Sequence, residues 1–282
     1  MCEVIKKMLR KKQPRKKALL VGINKYRPDL NANLRGCVND VDHMREILVN
    51  MFGFDPENIR VIVDERATFQ GIMERLNWLL TDSRKGDELV FEYSAHGSQI
   101  RDRNGDELDD HLDEILCPYD LDWNNPFTDD ILAKLFKKVN KEANLTMVCD
   151  SCHSGSITRG LNNPGLIGNP HASRFITPPF DIVSRSLDRE LPKSNMGKKQ
   201  EGSQRHVLLS GCRDDQTSAD AYIDNKFQGA MTWALTCAIN DNPNITWREA
   251  HSKVLNRLQR YTQIPQLSGD DDLVDRPIFG GK

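Results

Sequence analysis

The chain has 282 residues, 38% of them apolar and 28% charged, and a formal net charge of −2. That is enough for one sizeable core, and it carries no overall bias toward nucleic acid or an acidic surface. No stretch approaches the ~18 apolar residues of a membrane span, no apolar region follows the N-terminal cations as in a secretory signal, and seven scattered cysteines suit free thiols better than a disulfide framework. A cytoplasmic protein is expected.

Charge is unevenly placed. Residues 6–17 hold eight Lys and Arg around Pro14, and residues 1–17 read as a basic leader, solvated and poorly ordered. A salt-dependent contact with nucleic acid or acidic lipid is the alternative reading of that leader. Ala18–Ile23 reads as a first strand. Asp40–Met51 has helical apolar spacing, with Asn39 as N-cap and Gly53 as stop. Ile59–Val63 is a second strand, Phe69–Leu80 a helix and Leu89–Ser94 a third strand. Residues 102–122 form an acidic loop with nine Asp and Glu against Arg103.

Asp129–Val139 reads as a helix and Leu145–Cys149 as a fourth strand. Residues 156–205, with five prolines and eight basic residues, show no sustained periodicity and read as a mobile basic linker. Val207–Ser210 resumes strand, followed by helices at Ala230–Ile239 and Trp247–Leu258, the second with a Thr246/Glu249 capping box. Strands separated by amphipathic helices predict an α/β fold with a mainly parallel central sheet flanked by helices.

Two strand ends carry the chemistry. Leu89–Gly97 delivers His96, and Met147–Gly155 delivers Cys152, each followed by small residues that let a substrate backbone approach. An imidazole that takes the proton of a thiol makes a nucleophile, and the Gly97 and Cys152 N–H groups are positioned in sequence to hold an oxyanion. A lone thiol at a strand end is otherwise a small buried hydrophobe. Cys149-Asp-Ser-Cys152-His153 also fits a redox or haem-attachment pattern. Against that stand the missing export signal and the strand alternation, which turns Cys149 inward.

Tyr93-Ser-Ala-His-Gly-Ser98 and Asp150-Ser-Cys-His-Ser-Gly155 resemble the two active-site signatures of the metacaspases, caspase-like cysteine peptidases whose bacterial members are called orthocaspases. Arg35-Gly-Cys-Val-Asn-Asp40 and Ser210-Gly-Cys-Arg-Asp-Asp-Gln-Thr-Ser-Ala-Asp220 resemble two further family motifs in the same order. The resemblance implies a caspase-like sandwich over residues 18–282, with a large-subunit-like part (18–155), the linker (156–205) and a small-subunit-like part (206–282). It implies a His96–Cys152 dyad with no fixed third member, and cleavage of protein or peptide substrates after Arg or Lys. Cys37, Asp40, Ser94 and Asp150 match the pocket for that basic residue, where two carboxylates would hold a guanidinium through charge-assisted hydrogen bonds. Asp40 alone would read as an acid favoured by a helix N-terminus.

The chemistry requires no cofactor, and calcium is the candidate activator. The resemblance implies Asp113, Asp129 and Asp130 as ligands, but the fourth position falls at Arg159, a cation. Asp102, Asn104, Asp106 and Asp113 fall at EF-hand offsets without the closing Glu. Mobile basic residues next to an Arg/Lys-directed site predict self-processing between Arg159 and Arg205, or in the leader near Lys16. The resemblance further implies a monomer. A non-catalytic interaction module of the same fold, binding partners through the acidic loop or leader, is the competing function.

Overall fold

The computed structural model describes residues 13–101, 112–152, 172–187, 205–213 and 216–282. The leading half supplies β1 (Lys16–Gly22), α1 (Cys37–Asn50), β2 (Ile59–Val63), α2 (Phe69–Leu80), β3 (Glu88–Ser94), β4 (Gly97–Arg101), β5 (Leu112–Leu116), β6 (Phe127–Thr128), α3 (Asp129–Phe136) and β7 (Asn144–Asp150). Then follow β8 (Ala172–Ser173), α4 (Phe180–Leu187), β9 (Val207–Ser210), β10 (Ala219–Ile223), β11 (Lys226–Gly229), α5 (Ala230–Asp241), α6 (Trp247–Arg257), β12 (Gln266–Ser268) and α7 (Asp271–Val274).

Six strands form the central sheet in the order β12–β9–β7–β3–β1–β2. All pairs are parallel except β12 with β9. Near-continuous apolar strands suit a sheet covered on both faces. In β1, Ala18 and Leu20 join one apolar cluster, together with α1, α5 and α6, while Leu19 and Val21 join the other, with α2 and α3. The chain steps from β1 outward to β2, then returns to place β3 on the opposite side of β1. The connections leaving β1 and β3 therefore diverge and open a crevice at the carboxyl ends of the strands. This is the mixed α/β architecture with a mostly parallel sheet that the sequence predicts.

Several local expectations are corrected. The end of the basic leader is not a solvated tail. Arg15 pairs with Asp87 at 2.6 Å, and Lys17 lies 4.3 Å above the Trp78 ring while donating to the Trp78 and Leu79 carbonyls. Lys16, a proposed cleavage point, is part of β1 and pairs with Glu88 of β3, so it is not extended free chain of the kind a peptidase takes. Residues 1–12 lie outside the described residues.

Helix α1 begins at Cys37 with Gly36 as its N-cap, and Asn39 lies inside it. Its first amides are satisfied from afar. Asn24 Oδ1 accepts from Cys37 N–H, and the Asp220 carboxylate accepts from Arg35 and Gly36 N–H. The Asn24 side chain thus satisfies the first helical amide in place of a local cap, while Asp220 fixes the two residues that lead into the helix. The hairpin β10–β11 turns through Asp224 and Asn225, both at positive φ (51° and 64°), the geometry of a two-residue type I′ turn. Residues 172–187, expected within an unstructured linker, hold β8 and α4.

One buried group stands against the apolar run of β3. Glu92 lies opposite Leu20 and Val148 on the neighbouring strands and is fully buried. Neither of its carboxylate oxygens has a hydrogen-bond partner among the described residues. Burial, reinforced by Asp40 and Asp150, raises its pKa well above the usual carboxylate value, so the folded protein keeps it protonated. Below the ordinary carboxylate pKa both folded and unfolded chains hold this proton. Above it the unfolded chain releases the proton, and stability falls by ~1.4 kcal/mol per pH unit until the folded group ionises. Glu92→Gln is therefore expected to gain stability over wild type as pH rises from 5 to 8. Urea midpoints of the two proteins that ran parallel across that range would contradict a proton held at Glu92.

Candidate active site

Strands β3 and β7 run side by side with Tyr93 opposite Cys149 and Ser94 opposite Asp150. The residues just beyond them, His96 and Cys152, are thereby delivered to one edge of the sheet, and both are buried. The backbone of His96 is pinned on both sides. Its N–H donates to Tyr26 Oη (3.0 Å), and its carbonyl accepts from Cys117 N–H (3.1 Å) and Tyr93 Oη (3.2 Å). The Tyr26 ring packs on the imidazole with centroids 5.1 Å apart.

The imidazole Nε2 contacts the Ala32 carbonyl at 2.7 Å. A carbonyl can only accept, so this contact places the proton on Nε2 and leaves Nδ1 with its lone pair. Nδ1 is buried without a hydrogen-bond partner among the described residues. Burial lowers the imidazole pKa to about 4, with the Ala32 and Arg174 backbone groups acting in the opposite sense. The ring is neutral at physiological pH.

The Cys152 thiol is not hydrogen-bonded to His96. Its Sγ accepts from Ser218 N–H at 2.6 Å. What lies between the two groups is a third residue, Arg174. Its carbonyl oxygen accepts from Gly97 N–H (3.0 Å) and Cys152 N–H (3.2 Å), and its own N–H donates to the Ser218 carbonyl (3.1 Å). The two amides read from the sequence as oxyanion donors therefore converge on one peptide carbonyl of the chain itself.

The Arg174 side chain is fully buried, 0% exposed. Its Nη2 meets Asp40 at 2.7 Å and Asp220 at 3.1 Å, and its Nη1 meets Asp150 Oδ1 at 3.4 Å, Ser94 Oγ at 2.8 Å and the Asp150 carbonyl at 3.0 Å. Burial opposes the guanidinium charge most strongly. Cys37 and the three carboxylates outweigh it and hold the pKa above its ordinary value. Asp40 shows the other side of this balance, since burial raises its pKa while Arg174 pulls it down. The carboxylates are themselves braced: Asp40 accepts from Ser94 Oγ (2.6 Å) and Gly229 N–H (2.8 Å), and Asp150 from Ser218 Oγ (2.5 Å), Thr232 N–H (2.9 Å) and Thr232 Oγ1 (2.8 Å). The Cys37 thiol is fully buried, and burial raises its pKa while the Arg174 charge acts in the opposite sense. Gly229 has no side chain for a steric reason: a methyl group there would meet Asp150 Oδ2 and Arg174 Nη1.

Cys37, Asp40, Ser94 and Asp150, read from the sequence as pocket residues, are thus gathered around one guanidinium. Sequence reasoning missed three participants. Asp220 lay in a quoted motif but was not given to the pocket. The Ala32 carbonyl is a backbone group, invisible in a side-chain pattern. Arg174 is one of eight basic residues between 156 and 205, and nothing local marks it out. Cys212 was also passed over; its buried thiol donates to the Gln216 carbonyl at 3.4 Å, and the neighbouring Cys152 together with burial raises its pKa. Cys149 packs into the sheet, where burial pushes its thiol up to about 12. That placement removes it from any redox pair with Cys152, and the described cysteines are free thiols.

The acidic residues proposed for calcium lie on two elements. Asp113 is buried on β5, and Asp129 and Asp130 open α3, where Asp130 also pairs with Lys134 at 3.1 Å. Among the described residues no three acidic, His or Cys side chains gather closely enough to hold a metal. Asp102, Asn104, Asp106, His153 and Arg159 lie outside the described residues.

Residues 16–159 match the metacaspase peptidase C14 domain. Metacaspase-1B of Neurospora crassa is 33% identical over 94% of this chain and 69% of its own length, and metacaspase-1A of Aspergillus oryzae is 33% identical over 94% and 71%. A crystal structure of a Geobacter sulfurreducens protein shares the fold, with a TM-score of 0.68 at 22% identity over 95% of this chain and 99% of the other.

Removing the cation tests the cluster directly. In a chain carrying Cys152→Ala, Arg174→Ala is expected to lower stability by ~3 kcal/mol, because it strands buried carboxylates without their partner. Arg174→Lys should recover part of that loss. An unchanged urea midpoint for Arg174→Ala would show that the carboxylates do not depend on the guanidinium.

Proposed function

The chain belongs to the metacaspase family, peptidase C14, a family of cysteine peptidases, and from that premise we propose that it is an endopeptidase that cleaves after Arg or Lys through Cys152 and His96. The observation that carries the reading is the placement of Arg174. A guanidinium among carboxylates, with the adjoining carbonyl on two converging amides, is the geometry required of a substrate just before attack. A caspase-type preference for Asp would set a fourth carboxylate against the three already buried there. The ammonium of Lys fits the same charge, with fewer of the directional hydrogen bonds.

In this reading the neutral His96 Nδ1 takes the proton of the Cys152 thiol as Sγ bonds to the carbonyl carbon. The negative charge that develops on oxygen falls on the Gly97 and Cys152 N–H groups. Collapse of this adduct breaks the C–N bond, and His96 returns the proton to the departing amine. A water molecule, deprotonated by His96, then releases the acid and regenerates the thiol. The Ala32 carbonyl keeps Nε2 protonated throughout and so fixes which nitrogen is the base.

The segment in the site is the protein's own, and the reading extends to self-processing at the Arg174–Phe175 bond. Until that bond is cut, an outside substrate competes with a tethered one of high effective concentration. A cut here falls inside the stretch between Arg159 and Arg205 named from the sequence. It replaces the leader site at Lys16, which lies within the sheet.

Wild-type protein incubated at neutral pH should yield fragments ending at Arg174 and beginning at Phe175, read by intact-mass spectrometry. Cys152→Ala and Arg174→Gln should stay whole at that bond, while Arg174→Lys should be cut more slowly. Cleavage of the Cys152→Ala protein at the same place would sink the assignment. The pH dependence carries a sign as well. Because the base is lost on protonation and burial lowers its pKa to about 4, self-cleavage should persist well below pH 6.5. A single-turnover profile falling with a midpoint at 6.5 or above would contradict a buried neutral imidazole.

A further inference from the structure

The chain continues past Arg174 along the opposite side of the site, and there its contacts are as regular as before. Ala172 and Ser173 pair antiparallel with Asp220 and Ala219 of β10. Beyond the carbonyl, Phe175 forms a parallel bridge with Gly97, and Ile176 N–H donates to the Gly97 carbonyl at 3.1 Å. The segment therefore adds a strand to β10 before the Arg174 carbonyl and to β4 after it, the edge-strand mode of peptide recognition.

An extended strand turns alternate side chains to the same side. Arg174 faces in, Phe175 is half-buried and Ile176 faces in again, 8% exposed. Ile176 belongs to the apolar cluster that also holds Ile100, Ile115 and Leu116 of β4 and β5. A second observation points to the same place. Ser98 is fully buried, and its hydroxyl donates to the Ile176 carbonyl at 2.6 Å. Among the described residues that is the hydroxyl's sole hydrogen bond, so its partner comes from the bound segment.

Resting on the reading of Arg174 as the residue before the cleaved bond, we infer that the site has a second specificity pocket, which takes an aliphatic side chain two positions beyond that bond, with Ser98 fixing the backbone of that residue. The substrate class is thus a basic residue, any tolerated residue, then a branched aliphatic one. A charged side chain in the third place would have to enter an apolar cluster without a partner. Selectivity at this pocket rests on apolar contact, which discriminates by roughly ten- to a few hundred-fold.

The test uses the full chain after self-processing and quenched-fluorescent peptides Ala-Ser-Arg-Phe-X-Thr-Pro, with X as Ile, Val, Ala or Asp. Ala-Ser-Arg-aminocoumarin, which has no residue in the proposed pocket, is assayed alongside. With the pocket as inferred, kcat/KM falls in the order Ile, Val, Ala, Asp, with at least a tenfold gap between Ile and Asp. Hydrolysis of the coumarin substrate with equal rates for all four peptides overturns the second pocket and leaves the arginine reading intact. Failure to hydrolyse any of the arginine substrates removes the arginine reading, and the second pocket falls with it.

Discussion

A single guanidinium set among three buried carboxylates is the interaction on which the site depends. Asp40 comes from the first turn of α1, Asp150 from the end of β7 and Asp220 from β10, so three remote parts of the chain meet at one charge. Such a cluster is a poor device for stability, because desolvating the ions costs about as much as their attraction returns. It is a good device for selection. Asp40 and Asp150, held by Ser94, Gly229, Ser218 and Thr232, and Asp220, held by the Arg35 and Gly36 amides, suit a neutral or acidic side chain poorly. In the function proposed for the chain, whatever occupies the space brings a positive charge, and a planar fork of donors matches it better than a point charge does.

The chemistry stands on a different footing. The Ala32 carbonyl, the Tyr26 and Tyr93 hydroxyls, and the Gly97 and Cys152 amides define the surroundings of His96 and of the Arg174 carbonyl, and most of them are backbone groups. A backbone group is held by the fold and needs no side-chain ordering when charge develops, which is the condition for effective electrostatic stabilisation. Specificity in the proposed reaction thus comes from side chains that could vary, while the reacting centre is built from elements that the sheet and its loops impose.

This division also explains what was legible in the sequence. Ile59–Val63 and Val207–Ser210 were located to the residue because each is a short cluster of β-branched and aliphatic residues bounded by polar ones, although exposed Arg60 interrupts the first. The long amphipathic helices were equally plain. The small sheets were not: Gly97–Arg101 has no alternation to read, and β8 is two residues whose pairing depends on Arg174 being anchored. His96 and Cys152 stood out because each follows a strand visible in the sequence, whereas the acids at 40 and 150 were assigned only through the resemblance of their motifs to the family's. Asp220 did not, since its function is read from partners at Arg35, Gly36 and Arg174, 185, 184 and 46 residues away. Long-range satisfaction of polar groups leaves no local pattern.

The parallel pairing of β7 with β9 has a consequence for the chain as an object. These strands lie on opposite sides of Arg174 in sequence and next to each other in the sheet. Severing the backbone between them would leave two polypeptides that share one hydrogen-bonded ladder and one apolar interior. The arginine-binding acids would then be divided between them, Asp40 and Asp150 on the first and Asp220 on the second. Neither piece alone would own a complete recognition surface. The molecule would become an obligate heterodimer made from a single translation product, its subunits matched one to one by origin.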